Sequence, residues 1–148
     1  MFHIEPLSPN YFDFAVQLSN TMDWKMTPED FTFMASLEPN GSFLLLENSE
    51  PVGVATCISY GKLGWIGNLI VDPQWQRKNA GTTLVKHAIN YLQANGVETV
   101  GLYAYTNLKG FYKRLGFVAD QDFILLNANK VGPVEFAGVH RITKENFH

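Results

Sequence analysis

The chain has a single cysteine, Cys57, among its 148 residues, so no internal disulfide can form and a reducing compartment is the expected setting. It also lacks a basic excess. Eleven Lys and Arg stand against 14 Asp and Glu, a net charge of −3, which gives no reason to expect nucleic acid or an anionic membrane as partner. No apolar run approaches the ~20 residues of a membrane helix. Met1 is followed by FHIEPLSPN, without the basic start and apolar core of a secretory leader, so a cytoplasmic location is expected. His3, His87, His140 and His148 are scattered, and no metal-ligand spacing appears. Repeats, low-complexity segments and linkers are absent too. With 46% hydrophobic and 17% charged residues, the chain reads as one globular domain over residues 1–148.

What is present alternates between two periodicities. FHIEPL reads as a first strand, and Ser8–Pro9 opens a helix through about Leu18 that carries Tyr11, Phe12, Phe14, Val16 and Leu18. So apolar a helix is well buried or lines a pocket. Thr27-Pro28-Glu29-Asp30 is a second helix start, with Asp30 placed to return the capping bond. SFLLLE and PVGVATCISY form a hairpin around Asn48–Pro51. WIGNLIV is the next strand, in which Gly67 suggests a bulge. Leu84, Val85, Ala88, Ile89 and Leu92 recur at helical spacing up to Asn95–Gly96. TVGLYAY predicts a strand, NLKGFYKRLG a short helix, and FVADQDFILLN and VEFAGVH two last strands. The expectation is an α/β (α+β) chain: a mixed sheet of six to seven strands with about four helices on its faces.

The stretch VDPQWQRKNAGTTLV, where strand hands over to helix, has the composition of a phosphate cradle. The first free N–H groups of a helix and its dipole attract anions. Ala80 and Gly81 let a bulky anion approach, Arg77 and Lys78 add positive charge, and Asn79 tolerates a left-handed turn. An ordinary solvated loop is the alternative. A Walker loop is excluded, because Gly61–Lys62 lacks the upstream glycine and the Ser/Thr; no G-x-G-x-x-G occurs either.

LIVDPQWQRKNAGTTLV followed by TNLKGFYKRLGF resembles the GNAT superfamily of acyl-CoA-dependent N-acyltransferases. The family's Q/R-x-x-G-x-G/A is met by Gln76, Asn79 and Gly81, with Asn79 replacing the first glycine. Its F-Y-x-x-x-G-F is met by Phe111, Tyr112, Gly116 and Phe117. The resemblance implies a GNAT fold with a mostly antiparallel sheet that splays between strands 4 and 5, and acetyl-CoA as cosubstrate. It implies that main-chain groups of Arg77, Lys78, Asn79, Ala80, Gly81 and Thr82, together with Gln76 and Asn107, hold the coenzyme, and that Leu69, Ile70 and Val71 pair with its pantetheine arm. The Leu69 N–H would face the thioester oxygen, and Tyr112 would be the general acid. Asn107 could equally cap a helix, and Tyr112 could equally be a packed aromatic.

The resemblance does not supply a base. An alkyl amine with a pKa of ~10.4 is less than about 0.1% neutral at pH 7, so its proton must go somewhere. The glutamate that some members carry in the fourth strand is Trp65 here. Asp23, Glu29, Asp30 and a water chain ending at Tyr103 or Tyr105 remain open. Trp24, Met26, Trp65 and Tyr103 are the candidate acceptor contacts. The function implied is acetyl transfer to a primary amine in a ternary complex. The alternative is a domain that senses acyl-CoA without turning it over. VEFAGVH, as a sheet edge, could serve a homodimer.

Overall fold

A computed structural model describes residues 1–120. The chain divides into two units, Met1–Phe117 and Val118–His148, and the architecture below is that of the first. Five strands lie in chain order across one sheet: β1 (Phe2–Pro6), β2 (Ser42–Glu47), β3 (Glu50–Tyr60), β4 (Leu63–Val71) and β5 (Thr99–Leu102). The first four run antiparallel. β5 runs parallel to β4, which requires a crossover, and the helix α3 (Ala80–Ala94) supplies it. α1 (Phe12–Asn20), α2 (Pro28–Leu37) and α4 (Lys109–Arg114) complete the described elements.

The described residues thus hold five strands, not the six to seven expected. Phe117–Asp120, the start of the expected strand FVADQDFILLN, is not strand. The rest of that segment, and VEFAGVH with its possible dimer edge, lie outside the described residues.

Period-two alternation sorts β2 onto two cores. Phe43 and Leu45 join Ile66, Val71, Ala80, Leu84, Ala88 and Leu92 on the α3 face. Leu44 and Leu46 join Phe12, Ala15, Leu18 and Phe31 on the α1/α2 face. The capping signal at α2 is realised: the Asp30 carboxylate accepts the Thr27 N–H at 2.8 Å and its hydroxyl at 3.1 Å. The signal at Ser8–Pro9 opens a 3-10 turn, Pro9–Tyr11, before α1 begins, and Ser8 makes no side-chain cap. The β2–β3 turn is tighter than expected, with Asn48 and Ser49 both left-handed and Pro51 already in β3.

Two features of β4 make the site. Gly67 pairs with Thr56, and Ile70 with Val54, so Asn68 and Leu69 together oppose Ala55. The bulge therefore falls beside Gly67, not on it. Asn68 takes the left-handed backbone, φ 46°, and its amide donates to Thr56 Oγ1 at 3.1 Å and Met34 Sδ at 2.9 Å. Gly64 serves packing, since a Cβ there would sit 2.9 Å from Leu92 and Val97. The second feature is the end of pairing. β5 matches only Leu63–Ile66, and the expected strand TVGLYAY stops at Leu102. Among the described residues, Gly67 to Val71 have no strand partner on the β5-facing edge of β4, where the resemblance implied a splay.

Candidate active site

The loop leaving β4 is shaped by its own side chains. Asp72 accepts the Gln74 N–H at 2.8 Å, setting the 3-10 turn Pro73–Trp75. Gln76 reaches back, its Nε2 donating to the Val71 carbonyl at 3.0 Å. Its amide therefore fastens the loop to the strand end. Arg77 and Asn79 are both left-handed, φ 60° and 68°. Left-handed residues in such a turn make main-chain N–H groups converge into a concavity suited to anions.

Asn79 is the residue before α3, and its side chain makes no capping bond. The first bond back to it is from Thr83 N–H, 2.9 Å. Among the described residues, the N–H groups of Ala80, Gly81 and Thr82 make no hydrogen bond, and the first turn of α3 carries no acidic side chain. These donors have the positive end of a 15-residue helix behind them. Their arrangement fits a diphosphate. Lys78 does not stand over them, since its Nζ lies 4.6 Å above the Trp75 ring. Arg77 is exposed.

α4 packs against this helix start. A Cβ on Gly81 would touch Phe111 Cζ at 3.4 Å. Tyr112 beside it is 7% exposed, its ring edge-on to Phe111 at 4.9 Å and Phe117 at 5.7 Å. Burial raises its pKa above the ordinary phenol value, so the hydroxyl keeps its proton at neutral pH. That hydroxyl has no hydrogen-bond partner among the described residues. Asn107 sits inside a 3-10 turn, Thr106–Leu108, and so does not cap it; Tyr105 precedes the turn.

The other candidates gather on the α1/α2 face. Gly64 and Ile66 point to α3, so Trp65 between them points the other way. Its ring lies over Gly101, the residue it pairs with in β5, and meets Tyr103 at 4.7 Å. Trp24 Nε1 donates to the Tyr105 hydroxyl at 2.8 Å. Asn20 holds the Met26 backbone at both ends, donating to its carbonyl at 3.1 Å and accepting its N–H at 2.8 Å. Asp30 is engaged by Thr27, so the capping reading stands for it.

Two site residues escaped the sequence reading. Asn68 forms the bulge, and the Gly-Asn pair inside an apolar strand was its signal, since both residues accept positive φ. Gly101 is dictated by the Trp65 ring, 2.5 Å from where its Cβ would be, and only the three-dimensional pairing reveals that. Cys57 is buried, and burial together with the Glu38 charge pushes its thiol up to about 12, which makes it inert as a nucleophile at neutral pH. Among the described residues no helix is long and apolar enough to cross a membrane, and no group of three or more His, Cys, Asp or Glu could hold a metal.

A parallel β4–α3–β5 unit carries free main-chain donors at its helix start, beside a stretch of β4 with no strand partner among the described residues. The acetyltransferase (GNAT) family matches residues 10–117, and the chain belongs to that family. It is 32% identical over 97 residues to an uncharacterized N-acetyltransferase of Methanocaldococcus jannaschii, a match covering 59% of this chain and 43% of that protein. The chain thus spans less than half the length of that relative. Among solved structures, it resembles a putative acetyltransferase from Pyrococcus horikoshii at 25% identity and a TM-score of 0.72, covering 80% of this chain and 44% of that one. It shares the fold of glucosamine-6-phosphate N-acetyltransferase from Arabidopsis thaliana, with a TM-score of 0.70 at 17% identity, covering 88% and 99%.

Proposed function

We propose that this protein transfers an acetyl group from acetyl-CoA to a primary amine by direct attack within a ternary complex. One observation carries the reading: among the described residues, three main-chain donors at the start of α3 have no partner, and the strand that leads to them has no strand beside its next edge. A diphosphate at the first and an extended pantetheine arm along the second fill both features with one ligand. Acetyl-CoA supplies the activated acyl thioester.

The chain's residues then have distinct tasks. Ala80, Gly81 and Thr82 hold the diphosphate, and Gln76 fixes the loop that presents them. The main chain of Leu69, Ile70 and Val71 aligns the arm. The bulge at Asn68–Leu69 turns the Leu69 N–H toward the thioester oxygen, where a preorganised donor contributes on the order of 3 kcal/mol. The amine nitrogen forms the new bond to the acyl carbon while the carbon–sulfur bond breaks. The ammonium first gives one proton to water; Tyr112 then gives its own to the departing sulfur, and the proton that the nitrogen sheds after attack returns through water to Tyr112. Trp24, Met26, Trp65 and Tyr103 wall the acceptor side.

The test is release of free thiol from acetyl-CoA across a panel of amines, run beside thermal unfolding with and without acetyl-CoA. At 100 times its dissociation constant the ligand adds about 2.7 kcal/mol of stability. Stabilisation without thiol release from any amine would make the domain a sensor. Absence of both stabilisation and thiol release removes the proposal.

A further inference from the structure

We infer that the amine reaches the acyl carbon over Gly67, on the side of β4 that faces α1 and α2, and that the Thr56 hydroxyl there receives one of its N–H groups. The inference rests on the acetyl-transfer reading above. It assigns two residues to the attacking side of that site.

Gly67 needs a reason, because glycine in the interior of a strand weakens it. Its backbone is not left-handed; among the described glycines only Gly61, Gly96 and Gly116 are. The bulge falls on Asn68 and Leu69. Close packing of the chain on itself is the reason at Gly64 and Gly101, where an added Cβ would sit 2.9 Å from Leu92 and 2.5 Å from the Trp65 ring. At Gly67 the nearest atom among the described residues would be Thr56 Oγ1 at 3.5 Å, an ordinary contact. What remains is the close approach of a ligand. The place is also reachable. Gly67, Asn68 and Leu69 are partly exposed, although Ile66, Ile70 and Val71 around them are buried.

The chemistry gives that approach a direction. An acyl thioester laid along β4 as an added strand lies in the plane of the sheet, its oxygen accepting the in-plane Leu69 N–H. An amine attacks a carbonyl carbon from one side of that plane, with the reacting atoms about 3–3.5 Å apart. On the α3 side, Ile66, Val71, Ala80 and Leu84 fill the core. Gly67 takes the other face, shared with Trp65 two residues earlier and with Thr56, its partner in β3. Thr56 is 5% exposed, and its oxygen accepts the Asn68 amide at 3.1 Å. A hydroxyl has a second lone pair and one proton, and among the described residues neither is engaged. An amine resting close to where a Gly67 side chain would begin donates to that lone pair. Its own lone pair then faces the acyl carbon, held two residues along at Leu69. The hydroxyl orients the nitrogen and takes no proton from it.

The experiment measures thiol release with butylamine, phenylethylamine, spermidine and alanine amide, and follows the fastest of these in each variant at saturating acetyl-CoA. Gly67→Ala adds a methyl at ordinary contact distance from Thr56, on a backbone that is not left-handed. Its thermal midpoint should therefore match or exceed the parent's. Its dissociation constant for acetyl-CoA should stay within about two-fold. The amine kcat/KM should fall about 10²-fold, the effect of displacing a nucleophile by about 1 Å. Thr56→Ser should keep the parent's amine kcat/KM within about three-fold, and Thr56→Val should lose about ten-fold, roughly one hydrogen bond. Unchanged amine kinetics in Gly67→Ala overturn the inference. So does a lowered midpoint, which would mean that the chain itself fills the space. An equal loss of acetyl-CoA affinity overturns it too, by giving the space to the coenzyme arm. Equal rates for Thr56→Ser and Thr56→Val overturn the part given to the hydroxyl. Each of these results leaves acetyl transfer standing. If the parent releases no thiol with any of the amines, the transfer reading falls and this inference falls with it.

Discussion

Asn79 is where the cradle is most exposed to test. Its backbone lies at φ 68° and ψ 3°, it is solvent-exposed, and its side chain caps nothing. A left-handed residue costs roughly 1–2 kcal/mol when it carries a Cβ, with asparagine among the cheapest, and nothing when it is glycine. Glycine gives part of that back through the extra freedom of the unfolded chain, about 0.5–1 kcal/mol. Asn79→Gly should therefore change stability by no more than about 0.5 kcal/mol in either direction. Asn79→Ala should lose about 1 kcal/mol and Asn79→Val about 2, the β-branched side chain being the more strained. The same penalties act on binding, because the N–H groups of Ala80 to Thr82 converge only while the turn is left-handed. A change of 1–2 kcal/mol is a factor of roughly 5–30 in dissociation constant. Calorimetric titration with coenzyme A should place the glycine variant within about two-fold of the parent, alanine about five-fold weaker and valine weaker still. Equal affinity for the alanine and glycine variants would show that the turn does not aim the donors. A large loss in the glycine variant would mean that the amide side chain itself touches the ligand.

The remaining predictions address separate layers of the molecule. Tyr112→Phe keeps the packed ring and removes the proton, so turnover should fall ~10²–10⁴-fold with the fold intact; unchanged turnover with chemistry rate-limiting returns Tyr112 to a packing role. The raised pKa keeps that proton in place past the ordinary phenol value, so this group predicts no alkaline fall in rate below about pH 10. Cys57 ionises near 9.0 when unfolded and about 12 when folded, so between those values the unfolded state holds fewer protons and stability declines as pH rises. The slope approaches about 1.4 kcal/mol per pH unit, and Cys57→Val should flatten denaturant midpoints measured from about pH 9 to 10, before the raised tyrosines Tyr91 and Tyr112 contribute. Gly101→Ala would put a methyl 2.5 Å from Trp65 Cζ3 and displace the ring. It should destabilise by about 1–3 kcal/mol, shift tryptophan fluorescence, and raise the acceptor KM but not that of acetyl-CoA. Ser19 Oγ is buried with no hydrogen-bond partner among the described residues, so Ser19→Ala should gain about 1 kcal/mol, seen as a Tm rise of roughly 2–4 °C.

Local signals carried most of the framework. The 3.6-residue recurrence of Leu84, Ala88 and Leu92 gave α3, and these side chains do line its buried face. Thr27 and Asp30 marked α2, and Asn79 was placed in the left-handed turn from its chemistry alone. Where local signals were ambiguous, non-local contacts decided. Gly67 and Asn68 both accept positive φ, and the choice fell on Asn68, whose amide finds Thr56 across the sheet and Met34 from α2. TVGLYAY alternates cleanly through Tyr105, but alternation reports which face a residue takes, not whether a neighbouring strand is within reach. Composition likewise put a cation and an amide beside the cradle without giving their directions; Trp75 draws Lys78 away and Val71 draws Gln76 back. The Trp24–Tyr105 bond joins residues 81 apart, beyond the range of any sequence period.

The extra residue in β4 connects these outcomes. Ile66 and Ile70 are four apart and in a regular strand would share a face, yet Ile66 packs toward α3 and Ile70 toward α1 and α2. The bulge at Asn68–Leu69 makes that switch, and with it both halves of β4 keep an apolar residue in a core. A bulge also bends its strand and increases its twist, and the pairing of β4 with β5 ends at Ile66, two residues before the bulge. One inserted residue therefore accounts for the double-sided burial of β4, for the end of its pairing with β5, and for the departure of Tyr105 toward Trp24. On this argument the Asn68–Thr56 hydrogen bond is what couples folding to the site. Thr56→Val, which keeps the shape and removes the acceptor, should loosen coenzyme A binding through the opened edge while leaving the α3 core packed; unchanged affinity would mean that the bulge is held by the two cores alone.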